Sequence, residues 1–314
     1  MSERAARTRE HRGLGGRPLG IDSPLFGGEA PEPAPAAADQ PSEATSHLPV
    51  PATGRQVDDW GRSERVISMM QPLLDFYYRH WFRVETEGIE HVPAKGGGLL
   101  VSNHSGALPP DGPMIMQAIR HETHGERPLY MLGEHWFKGY PGIGMLANKI
   151  GLVPGHPANA QRLLADEGQL AIVFPEGQKG TRKVLWQKYR LRRFGRGGFV
   201  RTALRAKVPI IPVALVGGEE AMPIWAHMRT VQRLTGLIYA PINHASPWLG
   251  PLGTLAYLPA KFKIRFLEPF ETADLPEDTI DDAAAVQAIA EEIRARIKEN
   301  LDEMLKARKS VWLG

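Results

Sequence analysis

His104 and Asp111 are the residues from which chemistry can start. They stand in VSNHSGALPPDG, Val101 to Gly112. His104 follows GGGLLVSN, a pattern that predicts a glycine turn feeding a short buried strand. Asp111 stands where GPMIMQAIRHE predicts the start of a helix. Imidazole and carboxylate can therefore meet at the mouth of a strand-to-helix turn. A hydroxyl is a weak nucleophile until a base removes its proton, and free imidazole, with a pKa of about 6.5, suits that task. A carboxylate on the far ring nitrogen fixes the tautomer and stabilises the imidazolium that forms. The plainer alternative is a helix-capping Asp beside an idle loop histidine.

Ser105 is expected to point away from His104, because neighbours on an extended chain face opposite ways. No G-x-S-x-G elbow occurs in the chain. With no protein nucleophile in sight, the substrate's own hydroxyl is the expected nucleophile. That favours group transfer over hydrolysis through a covalent enzyme intermediate.

A second constellation is AIVFPEGQKGTRK, Ala171 to Lys183. A strand is expected to end at Phe174, Pro175 forces an exit, and Glu176 with Gly177 forms the turn. Lys179, Arg182 and Lys183 follow. Glycines let backbone amides approach an anion, and Arg can grip a phosphate with two hydrogen bonds. The Walker pattern is absent. The alternative is a basic surface turn. A third stretch, AKVPIIPVALVGGEE, carries prolines inside an apparent strand, which predicts an edge or a bulge shaping a pocket wall.

NH followed by an Asp, then FPEG with basic residues, then VPIIPVAL, resembles the glycerolipid acyltransferase family, which includes the lysophosphatidic acid acyltransferases. The resemblance spans Val84 to Glu220. It implies His104 as the base that deprotonates an acceptor hydroxyl, which then attacks an acyl thioester, and Asp111 as its partner. It implies an acceptor pocket at Phe174, Pro175, Glu176 and Gly177, with phosphate engaged by Lys179, Arg182 or Lys183. Backbone amides at these turns would stabilise the oxyanion. The implied donor is acyl-CoA or acyl-carrier protein, with no metal or redox cofactor. The implied acceptor is a glycerolipid such as lysophosphatidic acid, or else a neutral lipid such as diacylglycerol or a long-chain alcohol. Two departures stand out. Six residues separate His104 from Asp111 where the family has four, so Leu108-Pro109-Pro110 must bulge. GLVPGHP places Pro157 where the family carries an arginine.

These residues need a scaffold. Candidate strands are GGLLVSN, RPLYML, NKIGLVP, QLAIVF, VPIIPVALVG and FKIRFLEP. Between them lie helical patterns after Asp111, in WFKGYPGIGMLAN (broken), in NAQRLLADEG and in GGFVRTALRAK. Short apolar strands alternating with helices predict a single α/β domain, its sheet mostly parallel or mixed and covered by helices. Residues 84–314 are expected to hold it, closed by a long amphipathic helix over Asp281 to Lys309. Residues 59–83 are expected to form an amphipathic helix capped by Ser63 and weakened by Pro72. It either docks on the core or lies at a lipid interface. Residues 1–58, rich in Pro, Ala and small polar residues, are expected to be a disordered tail.

Composition narrows the function further. The chain of 314 residues has no cysteine, which removes disulfides and thiol chemistry and fits a reducing compartment. Net charge is only +3, yet Gln178 to Lys207 holds eleven Lys or Arg and no Asp or Glu. Such a bias suits an anionic partner. No reader fold surrounds it, so nucleic acid is not the expected partner. His121 and His124 lack a third ligand, and no metal is expected. Neither a signal peptide nor an apolar run of about twenty residues is evident, so a cytoplasmic protein peripheral on the membrane is expected. The uncharged stretch Leu234 to Ala260 is expected to line an acyl groove, rest on a bilayer or cover the core.

Overall fold

The computed structural model describes residues 57–106, 108–133, 141–235 and 241–314. Most of the expected tail lies outside them, as do residues 136–140 of the expected broken helix. Described structure starts before Ser63: Val57 bridges to Ser63, and Asp58 accepts the Tyr130 hydroxyl at 2.6 Å.

Among the described residues nine strands form two sheets. They are β1 (Glu85–Glu87), β2 (Gly98–Ser102), β3 (Leu129–Gly133), β4 (Leu152–Pro154), β5 (Leu170–Val173), β6 (Ile210–Val216), β7 (Ile224–His227), β8 (Pro241–Asn243) and β9 (Lys263–Phe266). The main sheet runs β1-β9-β6-β2-β5-β3-β4, and β7 pairs with β8 separately. Every pairing in the main sheet is parallel except β6 with β9. The sheet is therefore mixed. Six of its strands match the apolar runs, although NKIGLVP begins as helix and becomes strand only at Leu152. The short β1, β7 and β8 carry no such run.

Two cores sandwich the sheet. Along β6, Ile210, Ala214 and Val216 face one core, and Ile211, Val213 and Leu215 the other. This alternation is the two-residue period of a strand buried on both faces. The first core is closed by the helix Gly198–Ala206 and by the C-terminal helix Ala283–Ala307. The latter buries Val286, Ala290, Ile293, Ile297, Leu301 and Met304, spaced by threes and fours along one face. Asp282 caps it, accepting from Ala284 and Ala285 N–H. The second core holds Met114, Ile115, Ala118 and Ile119 of α2 (Asp111–Glu122).

β6 corrects the reading of its prolines as an edge or bulge signal. It is an interior strand, parallel to β2 and antiparallel to β9. Pro212 is tolerated because its missing N–H faces the β9 side, where regular pairing stops at Phe266. There the Pro212 carbonyl still accepts Leu267 N–H at 2.8 Å.

Helix α1 (Glu64–Asp75) starts at Ser63, whose hydroxyl accepts Val66 N–H at 3.4 Å. Pro72 does not stop it, and beyond Asp75 the chain continues as a π-helical turn over Phe76–Trp81. One face of this segment docks on the core and another stays exposed. Ile67, Tyr78 and Phe82 are buried, whereas Met69, Leu73 and Phe76 are 74%, 55% and 45% exposed. His121 ties α2 to α1, its Nε2 lying 2.8 Å from Asp75 Oδ1. Of Leu234 to Ala260, residues 236–240 lie outside the described residues; the rest contains β8, a helical turn at Ser246–Leu249 and a 3-10 segment at Gly250–Leu255. Among the described residues no helix is long and apolar enough to cross a membrane.

Candidate active site

β2 ends at Ser102, and the next three residues build the site. Asn103 extends the sheet with its side chain: Nδ2 donates to the Leu215 carbonyl at 3.0 Å, and Leu215 N–H donates to Oδ1 at 2.9 Å. This amide clamp fixes the direction in which the chain leaves the strand. His104 Nδ1 lies 3.1 Å from Asp111 Oδ2. A carboxylate can only accept there, so the proton sits on Nδ1 and Nε2 keeps its lone pair. Nε2 has no hydrogen-bonding partner among the described residues, and the ring lines a cavity.

Asp111 is fully buried and opens α2, but its side chain does not cap that helix. It turns back and accepts Ser105 N–H at 2.7 Å and Ser105 Oγ–H at 2.5 Å. Ser105 therefore does not point away from the site, because the chain has already left the strand and both neighbours converge on one carboxylate. Gly218 completes the contact: a Cβ there would stand 2.5 Å from Asp111 Oδ1 and 2.9 Å from Ser105 Oγ. Only a residue without a side chain fits. Between the two, Leu108 is anchored, its carbonyl accepting the Tyr257 hydroxyl at 2.7 Å. Burial pushes the Tyr257 phenol well above its ordinary range, which keeps it a donor.

The FPEG turn forms the opposite wall. The Phe174 ring stacks on His104 at 4.1 Å between centroids, tilted by 16°. Glu176 is 3% exposed and points inward. Its Oε1 accepts His104 N–H at 3.0 Å, and its Oε2 accepts Arg192 N–H at 2.9 Å. Gly180 lets this turn press on the histidine, since a Cβ there would lie 3.0 Å from His104 Cβ. Pro175 and Gly177 shape the exit, and Gly177 lines the cavity.

The three expected cations part company. Lys179 and Arg182 are exposed. Lys183 is buried, with Nζ 2.7 Å from Glu219 Oε1 and 3.3 Å from Glu176 Oε2. It cannot serve as a phosphate grip, because two carboxylates hold its ammonium inside the protein. Glu219 is pushed up to about 7, by burial first; Lys183 opposes the shift and the Glu176 charge adds to it. One lysine thus compensates two buried carboxylates, one of which keeps its proton readily. Behind them Glu220 accepts from the Tyr189 hydroxyl and pairs with Arg308 at 2.8 Å.

The cavity in front of His104 has a volume of about 410 Å³. Leu74, Tyr77, Met114, Met131, Phe174 and Tyr257 contribute to its wall. No Lys, Arg, Asp or Glu lines it among the described residues. Asn103, Gly218, Lys183 with Glu219, and Tyr257 are the site residues that motif reading missed or misplaced. Asn103 was visible as the first letter of NH, and Gly218 as half of a glycine pair after an apolar run. Among the described residues no three His, Asp or Glu side chains cluster as metal ligands would.

Residues 83–216 match the family model described as Acyltransferase. The chain is 40% identical over 259 residues to an uncharacterized protein of Mycobacterium tuberculosis, covering 82% of this chain and 72% of that one. It is 25% identical over 261 residues to the DGAT1/2-independent enzyme synthesizing storage lipids of Gallus gallus, covering 82% of this chain and 69% of that one. Among solved structures, the 1-acyl-sn-glycerophosphate (LPA) acyltransferase PlsC from Thermotoga maritima aligns with a TM-score of 0.49 at 19% identity. That alignment covers 78% of this chain and 83% of the other.

Proposed function

Because this chain belongs to the acyltransferase family, we propose that it moves a fatty acyl group from a thioester to the hydroxyl of a neutral glycerolipid or long-chain alcohol. The acceptor oxygen attacks the thioester carbonyl carbon while His104 Nε2 takes its proton. The carbon–sulfur bond then breaks, and the departing thiolate collects that proton from the imidazolium. Asp111 holds the ring and balances its transient charge. Backbone N–H groups at the flanking turns would receive the oxyanion.

One observation carries the choice of acceptor. The His104 and Asp111 pair opens on an apolar cavity with no cation in its described lining. An acyl chain and an uncharged acceptor gain from leaving water there, whereas a phosphate would be stranded. The storage-lipid enzyme of Gallus gallus points the same way. Lysophosphatidic acid is the second reading, favoured by exposed Lys179 and Arg182 beside the cavity residues Gln178 and Thr181.

The proposal includes a peripheral seat on the cytoplasmic side of a membrane. Leu73 and Leu146 line the cavity and are 55% and 44% exposed, so an apolar rim surrounds its mouth. Lipids can then enter without crossing water. The test supplies one radiolabelled acyl-CoA with diacylglycerol, a long-chain alcohol or lysophosphatidic acid. Faster labelling of a neutral acceptor is expected. Preference for lysophosphatidic acid would select the second reading, and transfer to none of them would end the proposal.

A further inference from the structure

A second cavity, of about 600 Å³, lies against the carboxyl ends of β3 and β5. Val173 and Pro175 line it, while Phe174 between them lines the His104 cavity. Val173 packs with the core on one side of the sheet and Phe174 with the core on the other, so the two cavities lie on opposite faces. Leu132 and Gly133 line both. The end of β3 therefore belongs to the walls of both cavities.

Their chemistry is opposite. Arg196 and Arg201 stand in the wall of the second cavity, and no Asp or Glu lines it among the described residues. Arg201 is held in place, its guanidinium donating to the carbonyls of Ile280 at 3.2 Å and Arg196 at 3.0 Å. Gly195 and Gly198 line the cavity too, and a Cβ at either would meet nothing within 4 Å. Gly198 begins a nine-residue helix that has no side-chain cap. Its leading N–H groups add positive potential beside the two guanidinium groups. This wall belongs to the segment Gln178 to Lys207, which contains no acidic residue.

We infer that the second cavity binds the phosphate-bearing nucleotide end of a coenzyme A thioester. The inference rests on the acyl-transfer reading above, and reach selects the donor. In a phosphorylated glycerol acceptor the phosphate is a few bonds from the attacking hydroxyl, so it must lie beside the His104 ring. In a coenzyme A thioester a long pantetheine arm separates the reacting carbonyl from the phosphates. Such a donor is long enough to place its acyl chain in the apolar cavity and its phosphates against Arg196 and Arg201, the two cavities sharing Leu132 and Gly133 in their walls. Guanidinium groups bind phosphate with paired, charge-assisted hydrogen bonds.

The test compares two donors carrying the same acyl chain, acyl-CoA and the acyl thioester of N-acetylcysteamine, which lacks the nucleotide. Arg196 is exposed, so R196Q can be checked for wild-type folding by circular dichroism. Thr202→Glu, which sets a carboxylate in the same wall, is the second variant. In each, the ratio of kcat/KM for acyl-CoA to that for the short thioester should fall about tenfold or more, the scale of one hydrogen bond to a charged group. Adenosine 3′,5′-bisphosphate should bind the wild type in titration calorimetry and bind R196Q correspondingly weaker. An unchanged ratio in both variants would overturn the inference. So would a loss confined to the KM of a phosphorylated acceptor, or equal binding of the bisphosphate to both proteins. If the wild type uses neither thioester, the acyl-transfer reading fails by itself, and the calorimetry still decides what the cavity holds.

Discussion

The two sides of the His104 imidazole are built from opposite materials. In front is an apolar cavity of about 410 Å³ with no charged residue in its described lining. Behind are buried carboxylates, Asp111 on the ring nitrogen and Glu176 on the backbone N–H, with Lys183 and Glu219 completing the support. The role proposed for His104, a base working on lipid hydroxyls, would need both. The dry side would let two apolar reactants meet out of water. The polar side holds Nδ1 of the imidazole and the backbone N–H groups of His104 and Ser105. Its cost is buried charge, which is tolerable only when paired.

Breaking the back of the ring should have the largest effect. Asp111→Asn removes the charge and turns one of two accepting oxygens into a donor, which disturbs the tautomer, so turnover should fall by about 10² to 10⁴ in steady-state assays. A fall below threefold would show that the carboxylate is ornamental. Lys183→Met leaves Glu176 and Glu219 without their cation. Urea unfolding should register a loss of about 3–5 kcal/mol, and adding Glu219→Gln should recover part of it. A single variant as stable as the wild type would remove the trio from the support.

Smaller effects sharpen the contrast. Ser105→Ala deletes one of two serine bonds to Asp111, with an expected loss of about tenfold in kcat/KM and no change in cavity occupancy by lipid. Equal loss of lipid binding would place Ser105 on the apolar side instead. The smallest effect is a pH slope. The Glu219 carboxyl, pushed up to about 7, holds its proton in the folded state at pH values where the unfolded chain has lost it. Its favourable contribution is therefore full below about pH 4.5 and lost as pH rises to about 7. The stability difference between wild type and Glu219→Gln should drift against the wild type across that window, read as Tm at several pH values. A constant difference would contradict the shift.

The front of the site was far more legible in the sequence than the back. β2, β5 and β6 announce themselves as apolar runs because both of their faces are buried. His104 and Asp111 stand out because residue types that do acid–base work are conspicuous at a strand-to-helix turn. Lys183 was misread because a basic run looks like surface; only the folded sheet brings Glu219, thirty-six residues further on, to its ammonium. Pro212 was misread because its effect depends on which neighbour its missing N–H faces, a matter of register. Ser105 was misread because alternation ends where the strand ends. Local pattern thus predicted the elements, while pairing across the sheet decided which polar residues became support.

The most direct measurement is a double-mutant cycle on His104→Ala and Asp111→Asn, read as kcat/KM for acyl transfer with folding checked by circular dichroism. If the imidazole and carboxylate work as one proton-handling unit, each single change costs about 10² to 10⁴ and the double variant little more than the worse single. Costs that simply multiply, or a His104→Ala enzyme near wild-type rate, would contradict it.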